Sequence, residues 1–429
     1  LSGFTSLKTL LIPETAQVIN SYTLEGRGGG IDSTGLTTLT IPDSVLAFES
    51  GACSGITSFT GNLIIPNSVV FIGNNAFGAG TSIIDCGTLT LGNSVEYIDA
   101  NGFKSRKFTG NLVIPDSVEY IGNWAFAEGS FANGTWTLGV GLHQIGSAAM
   151  NGICSGNTGT FTILKKWKLE SAAFKNNSFD KVVFEEGYVD ISTAQVIANS
   201  TKITEIVLPS TLKSISGSSA FSGCSALSAI NLPDGLETIG VRGFENDDAL
   251  TSVVLPSTLT TIGDSAFEDS GIVGAYIPAS VTTIGNRVFQ DIPSESIIYM
   301  ANDTLLSAMT TSNSDWNKKY NAKNTALAVT NGGTFAEDTM FTAGTLATPT
   351  KDGAIFDGWY ANDDFTGEKV TSASNGETYY AKWIGMDDME LQYAGTQQIT
   401  VSENISLSDY KSSDSSVATV DSSGNVTAT

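Results

Sequence analysis

A short phrase recurs along most of this chain, and it constrains the fold more than any other feature. An apolar residue followed by proline appears as Ile12-Pro13, Ile41-Pro42, Ile65-Pro66, Ile114-Pro115, Leu208-Pro209, Leu232-Pro233, Leu255-Pro256 and Ile277-Pro278. Degenerate copies stand at Leu91-Gly92, Leu138-Gly139, Ile163-Leu164 and Phe184-Glu185. The period is about 23 residues over about twelve units, a spacing that marks a solenoid. Each unit opens with a short alternating strand. Ser252-Val253-Val254-Leu255 sends Val253 and Leu255 to one side, and Ser252 and Val254 to the other. Proline has no N–H for the ladder and suits the strand's exit. A second apolar residue follows, often before glycine, as in Ile72-Gly73, Ile121-Gly122, Ile145-Gly146, Ile239-Gly240, Ile262-Gly263 and Ile284-Gly285. The glycine is expected to take a left-handed turn there. An aromatic closes the unit: Phe77, Phe103, Phe126, Phe174, Phe221, Phe244, Phe267 and Phe289.

One such unit cannot bury its own apolar face. Stacking sets each Ile on the next Ile and each Phe on the next Phe, giving one continuous core. The constant residues are therefore core, and the variable polar ones are surface.

Composition agrees. Hydrophobic residues make up 41% of the 429 residues and charged ones only 15%, so Ser, Thr, Gly and Asn fill the surface. That mix suits solvated β-surface. The formal net charge of −23 would repel nucleic acid and anionic membranes. No run of about 18 apolar residues is present to span a membrane. Leu1 already lies inside a repeat unit, so the natural start and any targeting signal are expected upstream. Cys53, Cys86, Cys154 and Cys224 are scattered without a CxxC pair or a nearby histidine. They read as free thiols packed as small hydrophobes, with no zinc site.

The phrase "IPDSVEYIGNWAFAEGS" and its relatives resemble the BspA-like leucine-rich repeat, also called the treponemal type, over residues 1–300. The resemblance implies a β-rich, right-handed leucine-rich-repeat solenoid of about twelve coils, displayed on a bacterial surface and engaged in adhesion. In "EEGYVDISTAQVIANS" no Phe stands at the closing position.

Residues 301–324 read as a helical C-terminal cap or linker. Asp303 or Thr304 could start it, Leu305, Leu306 and Met309 follow at helical spacing, and Trp316 and Tyr320 could cover the open core. Residues 325–383 carry Gly358-Trp359-Tyr360 and end in Tyr379-Tyr380-Ala381-Lys382-Trp383. They resemble the Listeria–Bacteroides repeat, or internalin B-repeat, a small β-grasp-like module, with Trp359 and Trp383 expected in its core. Residues 384–429 end in "SSDSSVATVDSSGNVTAT" and resemble part of a bacterial Ig-like β-sandwich, whose last strand is expected beyond Thr429.

Catalytic chemistry finds little support. His143 is the only histidine and reads as solvated surface, so no Ser-His-Asp or Cys-His set can be built around another one. The stretch Gly26–Gly30 lacks the Lys-Ser/Thr of a phosphate loop. No enzyme, cofactor or metal is expected. Glu245, Asp247, Asp248, Glu268, Asp269 and Asp291 recur at equal offsets after aligned Phe residues, which places them along one edge. They read either as ordinary loop solubility or as a cation or docking patch, and no DxDxDG loop favours calcium.

The outward strand positions make the candidate binding face, expected to be concave. They are Thr38, Thr40, Asn62, Ile64, Thr88, Thr90, Asn111, Val113, Thr135, Thr137, Thr160, Thr162, Glu205, Asn231, Ser252 and Tyr276. Solenoids bind partners on such faces, and a Thr ladder is also simply good β-surface. The expected function is adhesion or recognition by a secreted or cell-surface bacterial protein, with an extracellular protein or glycan as partner. The alternative is a structural surface-layer or spacer protein without a specific ligand.

Overall fold

The computed structural model describes residues 7–24 and 36–293, except 55, 57–58, 79–82, 133–134 and 154–158, and then 296–300. Beyond these it describes 325–329, 340–342, 346–385 with short gaps, 396–398, 418–420 and 425–428. Among the described residues there are strands, turns and bends and no helix. The expected helical cap at 301–324 lies outside them. The chain divides into two compact units, Leu1–Ile298 with Thr304–Tyr320, and Tyr299–Asp303 with Asn321–Thr429.

The first unit is a β-solenoid of leucine-rich-repeat type. After each strand that carries the apolar-Pro phrase, a two-residue strand carries the second Ile. Seven of these second strands pair in parallel: Val18–Ile19, Ala47–Phe48, Phe71–Ile72, Tyr97–Ile98, Tyr120–Ile121, Gln144–Ile145 and Lys168–Leu169. Four more form a second ladder, Ser214–Ile215, Thr238–Ile239, Thr261–Ile262 and Thr283–Ile284. Among the described residues a single bridge, Asp190 to Ser214, continues the pattern between them. Seven strands bound six turns and four bound three, so about nine turns are regular. The larger expected number of coils includes the interrupted stretch, where the ladder narrows to that bridge.

Register explains the repeat. Ile72 pairs with Ile98, Ile98 with Ile121, and Ile121 with Ile145, so one apolar side chain lies on the next. All four are fully buried. Each recurring proline begins a turn. The Pro115 carbonyl accepts from the Val118 N–H at 3.1 Å, and the Pro256 carbonyl from the Leu259 N–H at 3.0 Å. Val118 and Leu259 are buried, so the turn drives an apolar side chain into the core immediately after the strand.

The glycine after the second Ile is not left-handed, contrary to expectation. It is there for room. A β-carbon on Gly122 would lie 2.5 Å from the Ala100 nitrogen, and one on Gly73 would lie 2.7 Å from the Phe48 oxygen. Backbone from the previous coil passes where a side chain would stand. The left-handed residue comes two positions before each closing side chain: Asn75 (φ 56°), Asn101 (φ 55°), Trp124 (φ 59°), Ser265 (φ 56°). That residue turns the corner which aims the closing side chain inward.

The closing rings stack as the repeat demands. Phe77 and Phe103 lie 5.5 Å apart, Phe103 and Phe126 5.3 Å, Phe244 and Phe267 5.4 Å, and Phe267 and Phe289 5.3 Å. The backbone fixes their register: Phe126 N donates to Ala149 O, Met150 N to Ala173 O, Phe174 N to Val196 O, and Ile197 N to Ala220 O. Met150 and Ile197 thus take the closing position in two coils that lack a Phe there, as Leu24 and Cys53 do in the first coils. Met150 and Ile197 are fully buried.

The second unit contains a mixed four-stranded sheet. Thr325–Val329 pairs antiparallel with Met340–Thr342 and parallel with Thr378–Gly385, which pairs antiparallel with Ala354–Tyr360. Trp359, Ala373, Tyr379 and Ala381 form its buried cluster, with Trp383 partly buried against it. Asp357 sits beneath two lysines. Burial pushes its carboxyl up, but hydrogen bonds from Lys369 and Tyr360 and the charges of Lys369 and Lys382 outweigh this and hold it below its usual value. Ala418–Val420 and Asn425–Ala428 pair antiparallel.

Candidate recognition face

The first strands of the coils form short parallel ladders whose apolar residues point inward. Leu112, Val113 and Ile114 pair with Trp136, Thr137 and Leu138. Leu112 and Ile114 are buried while Val113 is 52% exposed. Period-two alternation therefore decides which side chains reach solvent. Fifteen of the sixteen expected outward positions are exposed. Tyr276 is the exception and is corrected here: it is 1% exposed. The register of Ser252 with Gly274 and Val253 with Ala275 puts Tyr276 level with Val254, which is 47% exposed. Alternation sets the side of the strand, but it does not set what lies over that side near the end of the array.

Two outward asparagines also hold the coils together, a role the sequence pattern did not disclose. Asn62 Oδ1 accepts from Thr88 N at 2.9 Å, and Asn111 Oδ1 accepts from Thr135 N at 3.2 Å. The same device recurs beyond the strands, where Asp116 takes the Val140 N–H and Asn123 the Ser147 N–H. A short polar side chain at a coil edge can satisfy an amide of the next coil, which explains why Asn and Asp accumulate there. Glu205 is paired with Lys181 of the preceding coil at 2.6 Å.

The acidic edge separates into distinct environments. Carboxylate oxygens of Glu268, Asp269 and Asp291 lie within 4.8 Å of one another. Glu268 is nearly buried and receives the Arg287 guanidinium. Asp269 is raised by partial burial and by the charges of Asp291 and Glu268. Glu245 faces Arg242 at 3.5 Å. Asp247 does not lie on the edge at all: it is fully buried. Its Oδ1 accepts from Cys224 N at 2.8 Å, Oδ2 has no partner among the described residues, and burial pushes its carboxyl well up. It belongs to an internal column three residues after the closing position, with Asn177, Ser200, Cys224 and Ser270, all buried.

The thiols are structural. Cys53, Cys86 and Cys224 are free and buried, and Cys154 lies outside the described residues. Burial pushes Cys53 up to about 12 despite the nearby Arg106 charge, so it carries almost no thiolate at neutral pH. Arg106 is itself buried and donates to Phe77 O and Ile56 O, both at 2.7 Å, tying down carbonyls in the longer coils. His143 is exposed, with Nε2 4.0 Å from a Glu119 oxygen. No nucleophile and base come together among these groups.

The comparisons follow the fold. A leucine-rich repeat protein from Bacteroides ovatus is 18% identical, with a TM-score of 0.40 over 68% of this chain and 78% of that one. A leucine rich cell surface protein from Faecalibacterium prausnitzii is 20% identical, with a TM-score of 0.40 over 73% and 78%. The pneumococcal vaccine antigen PcpA is 15% identical, with a TM-score of 0.45 over 75% and 90%. No curated protein matches. The family described as BspA type leucine rich repeat region matches in six copies, over residues 31–156 and 167–296. Those segments cover more than half of the sequence and coincide with the stacked coils, so the chain belongs to the BspA-type leucine-rich-repeat family.

Proposed function

We propose that this chain is a recognition protein of a bacterial surface or secretome, whose solenoid presents its outward strand face to an extracellular protein or glycan. Family membership supports the surface role. The observation that carries the reading is the exposed, weakly charged Thr/Asn/Val face set on rigid parallel strands. Its neighbours Ile, Leu and Phe are committed to the core, so outward positions such as Thr90, Val113 and Thr137 are free to vary without unfolding a coil. Rigid presentation reduces the ordering cost of docking. Catalysis has no part in this reading. In it, residues 1–300 are the right-handed binding head and residues 301–324 cap it. Residues 325–383 form a β-grasp-like module and 384–429 part of an Ig-like one, both acting as a stalk.

The test is a binding screen of the full chain against extracellular matrix proteins, mucin and glycans. Hits are then measured with the triple variant T90K/V113K/T137K, which spares the inter-coil bond of Asn111. Binding should fall while the melting temperature stays nearly constant, and the wild-type affinity should respond weakly to salt. If the variant binds normally, and deletion after Tyr320 abolishes binding, the face is assigned wrongly. A spacer without a ligand would give no hit at all.

A further inference from the structure

The second strands carry a different outward column. Val18, Ala47, Phe71, Tyr97, Tyr120, Gln144 and Lys168 stand in register along the seven-stranded ladder. Phe71 is 37% and Tyr97 40% exposed, and Tyr120 is half-buried. The Tyr97 and Tyr120 rings lie 6.5 Å apart with a 42° tilt, so their faces are not closed against each other. Carboxylates flank them on both sides. Glu96 and Glu119 precede the two tyrosines, and Asp99 follows Ile98. Tyr97 Oη lies 3.4 Å from Glu119 Oε2. The negative field is felt by the rings. The Glu119 charge raises the Tyr97 hydroxyl, with burial and Glu96 adding to it, and burial followed by Asp99 and Glu170 raises that of Tyr120.

Elsewhere this chain fills such a site with its own cation. Lys104 Nζ stands 5.0 Å from the Trp124 ring centroid and 3.4 Å from Glu128. Among the described residues no lysine or arginine pairs with Glu96, Glu119 or Asp99, or stands over Tyr97 or Tyr120. Among the described residues, His143 lies 4.0 Å from Glu119, and Lys168 stands in the same column two coils beyond Tyr120.

We infer that the Phe71–Tyr97–Tyr120 stripe, with Glu96, Glu119 and Asp99 beside it, is a docking surface for a basic, extended segment of a partner protein. Guanidinium or ammonium groups would lie over the ring faces and pair with the flanking carboxylates. An extended peptide running across the ladder meets one ring per coil, about every 4.8 Å, which is within reach of neighbouring side chains. This surface belongs to another sheet than the Thr/Asn/Val face and does not depend on that reading.

The experiment is calorimetric titration of the full chain with an acetylated and amidated tetra-arginine peptide at low salt. Y97S/Y120S should weaken binding about fivefold, as expected for losing two exposed cation–π contacts. E96Q/E119Q should weaken it comparably. D43N/D234N, which removes the same charge at exposed sites away from the stripe, should leave it unchanged. Thermal melts of each variant check that the fold persists, and Y97F/Y120F, which keeps the ring faces, should retain most of the affinity. An equal loss in D43N/D234N would mean that only net charge attracts the peptide, and the inference fails. It also fails if the peptide does not bind, if Y97S/Y120S binds normally, or if the stripe instead holds a neutral hexasaccharide that Y97S/Y120S releases.

Discussion

Asp247 shows how far a single residue can depart from its appearance in the sequence. In "GFENDDAL" it reads as one of several acidic loop residues. In the structure its offset from Phe244 places it in the internal polar column, fully buried. The sequence did contain the signal, because Asn177, Ser200, Cys224 and Ser270 stand at the same offset from their own closing residues. No acidic pattern reveals it, since Asp248 next to it is exposed. The consequence is a pH dependence with a definite sign. Burial raises the folded carboxyl above its unfolded value of about 3.9. The folded state therefore holds that proton more tightly, and the stability it contributes is fully present below the unfolded value. It is lost as pH rises through the folded value. Asp247→Asn keeps an acceptor for the Cys224 N–H and removes the ionisation. Urea unfolding of the variant should show a higher midpoint than wild type at pH 7 and a smaller difference at pH 4. A variant that is less stable at pH 7 but matches wild type at pH 4 would show that the ionised carboxylate stabilises the fold.

At the scale of the coil, the period, the inward Ile and Phe ladders and the proline turns were all legible from spacing alone. The reason is that parallel stacking repeats one environment, so one residue type recurs wherever one environment does. The glycine after Ile was legible as a necessity, but its cause was not. A sequence cannot distinguish a glycine required by φ from one required by a neighbouring backbone. Here the neighbour decides, and a test follows. Gly122→Ala puts a methyl 2.5 Å from Ala100 N and 2.7 Å from Asp99 C, both backbone atoms that cannot swing away. The loss should be about 1–3 kcal/mol, typical of overpacking. By contrast, Ala172→Gly, at a position with φ of 60°, should cost little or be stabilising, because a left-handed alanine is strained. Chemical denaturation of the two variants separates the causes. If Gly122→Ala were neutral, close approach would not be what keeps the glycine. The Tyr276 outcome has the same logic in reverse: period two correctly gives its side of the strand, while its cover comes from tertiary contacts that no local pattern encodes.

Across the whole molecule the dominant unbalanced quantity is charge. The sequence has 44 acidic and 21 basic residues, and the described ion pairs join few of them at close range. Repetition makes this imbalance local as well as global. When an acidic residue recurs at one position of the unit, stacking sets the copies about 4.8 Å apart, as at Glu96 and Glu119 beside the aromatic stripe. Such columns repel themselves in the folded state more than in the unfolded chain, where they are about 23 residues apart along a flexible backbone. Screening should relieve the folded state preferentially. Raising sodium chloride from about 0.02 M to about 0.5 M shortens the Debye length from roughly 20 Å to roughly 4 Å, below the scale of most of these separations. The melting temperature should therefore rise with salt, and E96Q/E119Q should reproduce part of that rise at low salt. Sodium chloride is a weak promoter of apolar burial at these concentrations, so the contrast with E96Q/E119Q isolates the electrostatic share. A melting temperature that falls as salt is added would mean that the surface ion pairs, such as Lys181 with Glu205 and Lys213 with Glu237, outweigh the repulsion between stacked carboxylates.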